Sequence, residues 1–423
     1  MEIQTDATES DSLCGGSATA FAIGFFFSFR LAIPILFMNL FGMDPQTGSV
    51  IKLSLSFLLF GAVCFTSFGA SARTLSSIVK PSSVRWALLF IAFSGCSFLW
   101  SETAAMGASI AYWSGTAIDV ATIIFLLRTE SVPEVAASVM KGFIWASCCV
   151  ALIAWLMPTQ YDLRLGDENF FNANSICNVC AFAVFFAQYL MRRKMAKYGL
   201  ITFLLILTIL RSLSKTTIAA FLVSEIYLVI RDRSMSRRSK LLLTSSAILV
   251  VLMFWGLFEA YYTFYTSYGN EAETLTGRTA IWSYVIDGVM EHPWIGHGFD
   301  SMWKVVPSFG AFEARHAENE LLEQAYSYGV AGIVIICGVY GALYSNIRQM
   351  AQESSKVICN SIILFVIVRG FAEAEPFDLL LPLWTVVLLG VLVCRDVEVG
   401  AVGLLFYPSA NYIDLKQPAA TAH

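Results

Sequence analysis

Three of the chain's four histidines, His292, His297 and His316, fall between Glu259 and Gln324, the longest polar interval in an otherwise apolar sequence. The same interval carries Arg278 and the run Arg315-His316-Ala317-Glu318-Asn319-Glu320. An imidazole beside a carboxylate is suited to taking a proton near neutral pH. A helix beginning near Arg315 would set His316, Asn319, Glu320 and Glu323 on one face, at i, i+3, i+4 and i+7, with Glu320 holding the His316 ring. Arg278 falls in the first turn of a second predicted helix, Thr276 to His292, in which Ile281, Trp282, Val285, Ile286, Val289 and Met290 recur at helical spacing. Thr276 can cap its start and Pro293 follows its end. Free N–H groups and the dipole at a helix start favour an anion, so Arg278 is either half of a phosphate site or an exposed arginine. The spacing of the histidines matches no zinc motif, and His292 and His297 read as turn-packing residues. No metal and no cofactor is expected.

The elements that must position these residues are set by composition. Of 423 residues, 57% are hydrophobic and 14% charged, against about 45–50% and 25% in soluble domains. Apolar runs long enough for a hydrocarbon core of about 30 Å recur from end to end. The chain is therefore expected to be an all-α polytopic membrane protein with about twelve spans. Its net charge of -4 and the lack of basic runs interleaved with aromatics exclude a nucleic-acid surface as the main theme. Nine of ten cysteines, including the Cys177-x-x-Cys180 pair, lie in apolar segments and read as small buried residues. The acidic N-terminus lacks the basic stretch of a secretory signal, so the first apolar segment is expected to remain as a span.

Expected spans run near Ser17–Leu40, Leu53–Ala70, Val84–Trp100, Ala104–Leu127, Ala136–Met157 and Ser175–Met191 in the first half. Those of the second half are Leu200–Leu210, Thr216–Ile230, Leu241–Phe258, Tyr326–Asn346, Val357–Arg369 and Leu379–Cys394. Threading them alternately sorts the 27 lysines and arginines into eighteen on one side and nine on the other. The positive-inside rule then assigns the larger set, and both termini, to the cytoplasm. The chain reads as one membrane domain, 1–423, with residues 259–325 as a large loop on the outer face and 1–16 and 396–423 as cytoplasmic tails. Lys197 to Arg231 must cross out and back in little more than thirty residues, so each arm is expected to be short. The hairpin between the arms would carry Arg211 and Lys215 below the membrane surface, facing a recessed cavity or snorkelling to the interface.

The loop residues resemble the superfamily of O-antigen ligases and Wzy-type O-antigen or exopolysaccharide polymerases. Gly277-Arg278 with Trp282 resembles its G-R-x-x-x-W signature, and Arg278 with Gly288 has the R-x9-G spacing of polymerase loops. Pro293-Trp294-Ile295-Gly296-His297-Gly298-Phe299 resembles the P-x-x-G-x-G-F turn, and Asn319 followed by Gly329 and Gly332 is similar to the end of H-[NSQ]-x9-G-x-x-[GTY]. Weaker likenesses are Arg164-Leu165-Gly166 with Asn172 and Asn174, and Ser214-Lys215-Thr216 where the family often has Ser-Arg-Thr. One departure matters: Glu318 stands where the motif has histidine.

The resemblance implies a GT-C-like glycosyltransferase of the bacterial inner membrane, acting without a metal on undecaprenyl-diphosphate-linked glycans at the periplasmic side. The donor diphosphate would sit among Arg278, Arg211 and Lys215, with Arg164, Asn319 and Glu320 as further substrate-binding residues. A hydroxyl of the acceptor glycan would lose its proton to His316 or Glu318 and attack the anomeric carbon. Arg369, beside Glu373 and Glu375, is an outer-side candidate that reads better as a structural ion pair. A flippase and a chain-length regulator are the further partners expected. Polymerase is favoured over ligase by the R-x9-G spacing and the absent motif histidine. A lipid-linked glycan flippase is the alternative of another class, though no inverted repeat is visible and the polar chemistry is gathered in one loop. A scaffold would leave Arg278, Arg211 and Lys215 without a task.

Overall fold

A computed structural model of the chain describes residues 17–42, 44–68, 73–160, 163–167, 171–195, 197–233, 275–307 and 315–406, with isolated positions between 236 and 263. These residues are helical with no strand among them. The helices are α1 (Ala18–Phe29), α2 (Ile33–Phe41), α3 (Pro45–Ser67), α4 (Leu75–Val79), α5 (Ser82–Cys96), α6 (Met106–Thr129) and α7 (Val132–Leu156). They continue with α8 (Ala173–Arg192), α9 (Gly199–Arg211), α10 (Lys215–Arg231), α11 (Leu275–Glu291), α12 (Glu320–Arg348), α13 (Glu353–Gly370) and α14 (Leu383–Phe406). Six of them are long and apolar enough to cross a membrane, or seven if α1 and α2 form one broken span. The protein is thus a multi-pass helical membrane protein, and the count of twelve is not reached among the described residues. The expected span Leu241–Phe258 lies mostly outside them.

The first expected span is not one helix. Pro34 has no N–H for the carbonyl of residue 30 and its ring crowds that carbonyl, so α1 ends at Phe29 and α2 leaves it at 72°. Arg30, at the break, pairs with Asp119 of α6. Helix α1 lies against α7 so closely that a Cβ at Gly24 or Gly142 would collide with the backbone of Val139 or Phe21, the small-residue contact common between membrane helices. At its far end α14 continues to Phe406, past the expected limit near Cys394.

The short arms are present. Helices α9 and α10 have 13 and 17 residues, lengths of about 20 and 26 Å, and both fall short of a hydrocarbon core. Leu213, in the turn between them, holds left-handed backbone with φ 57°.

Hydrogen bonds and ion pairs gather several of the described basic residues at two ends of the helix bundle. At one end Arg128 bonds the Arg73 carbonyl, Arg193 bonds Ser355 and Asp396, and Arg192 pairs with Asp232. At the other Arg164, Arg211, Arg278 and Arg369 engage the connections after α7, α9 and α13 and before α12.

Candidate active site

The described part of the large loop has a small core of its own. Ile281 and Val285 of α11 are buried with Met302, Val306, Ala317 and Tyr326, and Val289 and Leu322 pack beside them. The apolar stripe of α11 is therefore narrower than its composition suggested: Ile286 and Met290 are exposed. The helix begins at Leu275, one residue ahead of the expected Thr276.

The turn after α11 docks on a break in α12. At Gly329 the backbone of α12 leaves helical geometry (φ 61°, ψ -153°). The freed groups meet the turn: Val330 N and Ala331 N donate to the carbonyls of Pro293 and Trp294 at 2.8 and 3.1 Å. In return His297 N and Gly298 N donate to the carbonyls of Tyr326 and Ser327 at 2.9 and 2.8 Å. Gly296 and Gly298 take φ of 63° and 91° there, and a Cβ on Gly298 would lie 2.5 Å from Ser101. The R-x9-G glycine has a packing reason too. A Cβ on Gly288 would press into the Tyr326 ring at 2.5 Å, and the Gly288 carbonyl accepts from His297 Nε2 at 3.0 Å.

This frame fixes the segment before α12, and here the expected helix is absent. Residues 315–319 are non-helical and α12 starts at Glu320, because the Asn319 side chain caps it by accepting from Leu322 N at 3.0 Å. Asn319 Nδ2 donates to the Phe371 carbonyl, so its amide is engaged by the fold. The predicted face at i, i+3, i+4 and i+7 does not form. Glu320 is buried and accepts from Leu380 N at 3.4 Å rather than holding the His316 ring. Glu323 instead accepts from Ala317 N at 2.7 Å.

The carboxylate that does approach His316 is Glu318, whose Oε1 lies 3.8 Å from Nδ1. Glu318 holds left-handed backbone (φ 52°), a conformation uncommon for a residue with a Cβ and frequent at functional sites. Its Oε2 lies 3.3 Å from a guanidinium nitrogen of Arg278. Trp282 secures the pair from below by donating to the Ala317 carbonyl at 2.9 Å. Arg278, His316 and Glu318 therefore form one cluster in which each side chain is about one-fifth exposed.

Burial raises the Glu318 carboxyl above its usual range, against the lowering effects of His316 and Arg278, and the Glu373 charge raises it further. At His316 burial acts downward, but Glu318, Glu373, Glu323 and Glu375 outweigh it and raise the imidazole. A second influence opposes protonation of that ring: Nδ1 accepts a hydrogen bond from Glu318 N at 3.2 Å, which an imidazolium would break. The ring's lone pair is thus turned to the main chain, whereas the Glu318 carboxylate faces Arg278. Of the two side chains, Glu318 is the one whose acceptor atoms are turned away from the main chain.

The remaining expected cations assemble elsewhere at the same end. Arg164 donates to Asn174 Oδ1 at 2.7 Å, Ser214 donates to the same oxygen at 2.8 Å, and Asn174 Nδ2 donates to Glu373 at 2.6 Å. Thr216 also donates to Glu373, and Arg211 bonds the carbonyl of Leu163, another left-handed residue. Arg369 is buried, with nitrogens 3.9 Å from both Glu373 and Glu375, as the ion-pair reading required. Lys215 opens α10 and is exposed. Glu373 connects the two groups, since it bonds this network and its charge bears on His316 and Glu318. Sequence reasoning placed Glu373 only with Arg369, four positions away, and gave Asn174 only a minor place in the motif.

A multi-pass helical membrane protein whose described loop residues have a core of their own, with a guanidinium, a raised carboxyl and an imidazole gathered beside it, is the class defined so far. Comparison with known proteins narrows it. Residues 200–337 match the family model described as O-antigen ligase. A 100-residue stretch is 24% identical to an O-antigen ligase of Pseudomonas aeruginosa, covering 24% of this chain and about a quarter, 25%, of that relative. The resemblance to the O-antigen ligase and Wzy-type superfamily is thus shown over this part of the chain. The matched segment contains Arg211, Lys215, Arg278, His316 and Glu318, while Arg164, Asn174 and Glu373 lie outside it.

Proposed function

We propose that this protein is a membrane glycosyltransferase that polymerises undecaprenyl-diphosphate-linked oligosaccharide repeats into O-antigen or exopolysaccharide on the periplasmic side of a bacterial inner membrane. The observation that carries this reading is the Arg278–Glu318 pair beside His316. In the resting protein each partner holds the other. When a lipid-linked donor enters, its diphosphate takes the Arg278 guanidinium, and Arg211 and Lys215 from the hairpin add positive charge. Glu318, released from Arg278, accepts the proton of an acceptor hydroxyl, and that oxygen attacks the anomeric carbon. The new glycosidic bond forms as the bond from anomeric carbon to phosphate oxygen breaks, and the lipid diphosphate leaves with the electron pair. Preorganised cations facing that developing charge supply most of the acceleration, on the order of 3 kcal/mol for each donor.

Two specific observations favour a second reading, an O-antigen ligase that transfers the glycan to lipid A-core or another acceptor. The family model and the Pseudomonas relative both bear that name. The glutamate at the motif's histidine position and the R-x9-G spacing support polymerase instead. Nothing comparable supports a flippase. A strain lacking this protein separates the two transferases. Single repeat units in place of long surface chains support the polymerase, and full-length chains stranded on the lipid carrier support the ligase. A flippase and a chain-length regulator are the partners this reading expects.

A further inference from the structure

Glu102, His292 and His297 converge about the docked turn, although 195 residues separate Glu102 from His297. Glu102 lies in the connection between α5 and α6, which clamps the turn at several points. Glu102 N donates to the His297 carbonyl at 3.0 Å, Trp100 Nε1 to the Ile295 carbonyl at 3.3 Å, and Ser101 Oγ to the Phe299 carbonyl at 2.6 Å. The side chains then meet. His297 Nδ1 lies 2.7 Å from Glu102 Oε2, His292 Nε2 lies 3.9 Å from Glu102 Oε1, and one donor atom from each residue falls within 4.8 Å of the others.

The His297 ring is held on both sides. It stacks on Tyr326 with centroids 4.4 Å apart, and its Nε2 faces the Gly288 carbonyl at 3.0 Å. A carbonyl only accepts, so Nε2 carries a hydrogen, and in the neutral ring the Nδ1 lone pair then points at the Glu102 carboxylate. Two electron-pair donors at hydrogen-bond distance require a cation between them. A proton serves one such pair, whereas the second imidazole, His292, approaches the same carboxylate from the other side. An imidazole whose far N–H is anchored on a backbone carbonyl is the usual arrangement of a metal ligand.

We propose that Glu102, His292 and His297 bind a divalent transition-metal ion of the zinc class. The His2Glu set suits zinc, and imidazole donors exclude calcium and magnesium as preferred occupants. Glu102 and His292 are about half exposed while His297 is 5% exposed, so the ion is reached from one open side and water completes its coordination. The ion ties the α5–α6 connection to the turn that seats against the break in α12. Its role is to fix the loop, apart from glycosyl transfer at Glu318. Sequence spacing gave no sign of it because the carboxylate ligand comes from a different connection.

The test uses the full-length protein in detergent, purified through a tag without histidines, stripped with a chelator and titrated with zinc chloride by calorimetry. One zinc per chain is expected, with a rise in melting temperature. His292→Ala and Glu102→Gln, both at the exposed side, are expected each to weaken binding by at least about tenfold and to abolish the thermal shift. His297→Ala is the less useful variant because that ring is buried. Absence of one-to-one binding, or binding that survives either exposed-side substitution unchanged, overturns the three-ligand site and leaves a proton-bridged imidazole and carboxylate.

Discussion

Arg278 reaches Glu318 across forty residues of sequence, guanidinium nitrogen to carboxylate oxygen at 3.3 Å. The contact joins the first turns of α11 to the non-helical segment that precedes α12. Arg278 belongs to α11 and Glu318 to no helix. The pair therefore marks where loop and bundle meet, and each of its members has a separable role.

Removing the cation tests the electrostatic role. Arg278→Ala is expected to lower the turnover of a lipid-linked glycan by about 10²–10³-fold, and Arg278→Lys to recover only part, because an ammonium lacks the paired donors of a guanidinium. Turnover measured with purified protein and lipid-linked repeat units reads both.

The proposed Glu318 base must be deprotonated to act, so the acid limb of the pH–rate profile is expected to report it. Its raised carboxyl places that limb above the ordinary carboxylate range of about 4.3. His316 lowers the Glu318 carboxyl and Glu373 raises it, so the two substitutions have opposite signs. His316→Ala is expected to shift the limb to higher pH and Glu373→Gln to lower pH. A purely structural role for both residues predicts no shift of the limb in either variant.

Stability depends on the docked turn. Gly298→Ala adds a Cβ 2.5 Å from Ser101 at a left-handed φ of 91° and is expected to cost at least about 2 kcal/mol. Trp282→Phe removes the donor to the Ala317 carbonyl, for about 1 kcal/mol, and loosens the 316–318 segment, so kcat falls more than stability does. Thermal unfolding in detergent and turnover on the same samples check the pair.

The expected sidedness follows from the two groups of basic residues. Reporter fusions at Lys240 and Lys304 are expected to fall on opposite faces of the membrane, with Lys240 cytoplasmic. A common face for the two would remove the large loop from the periplasmic side.

Apolar length carried much of the helical membrane architecture into the sequence, as did the helical spacing of Ile281, Val285 and Val289. The break after α1 is written in Pro34 and Arg30, yet the apolar length of Ser17–Leu40 reads as one span. The segment before α12 was misread because His316, Asn319, Glu320 and Glu323 fit a helix face. Asn319 also fits an N-cap, and the capping bond to Leu322 N prevailed. Glu102 and Glu373 act through partners 195 and 199 residues away. No local pattern encodes such contacts, which arise only when connections from different helices are packed together. Glu318 entered through a departure from a motif, and its left-handed backbone shows why a neighbour two positions before it does not simply take its place.

The central claim is that Arg278 and Glu318 are the reacting pair of a glycan polymerase. Its most direct test is gel analysis of surface and lipid-linked glycan in a strain lacking the wild-type protein and carrying Arg278→Ala or Glu318→Gln at normal protein level. The expected result is single repeat units on the lipid carrier in place of long chains for both variants. Long chains of normal abundance in either variant would contradict it.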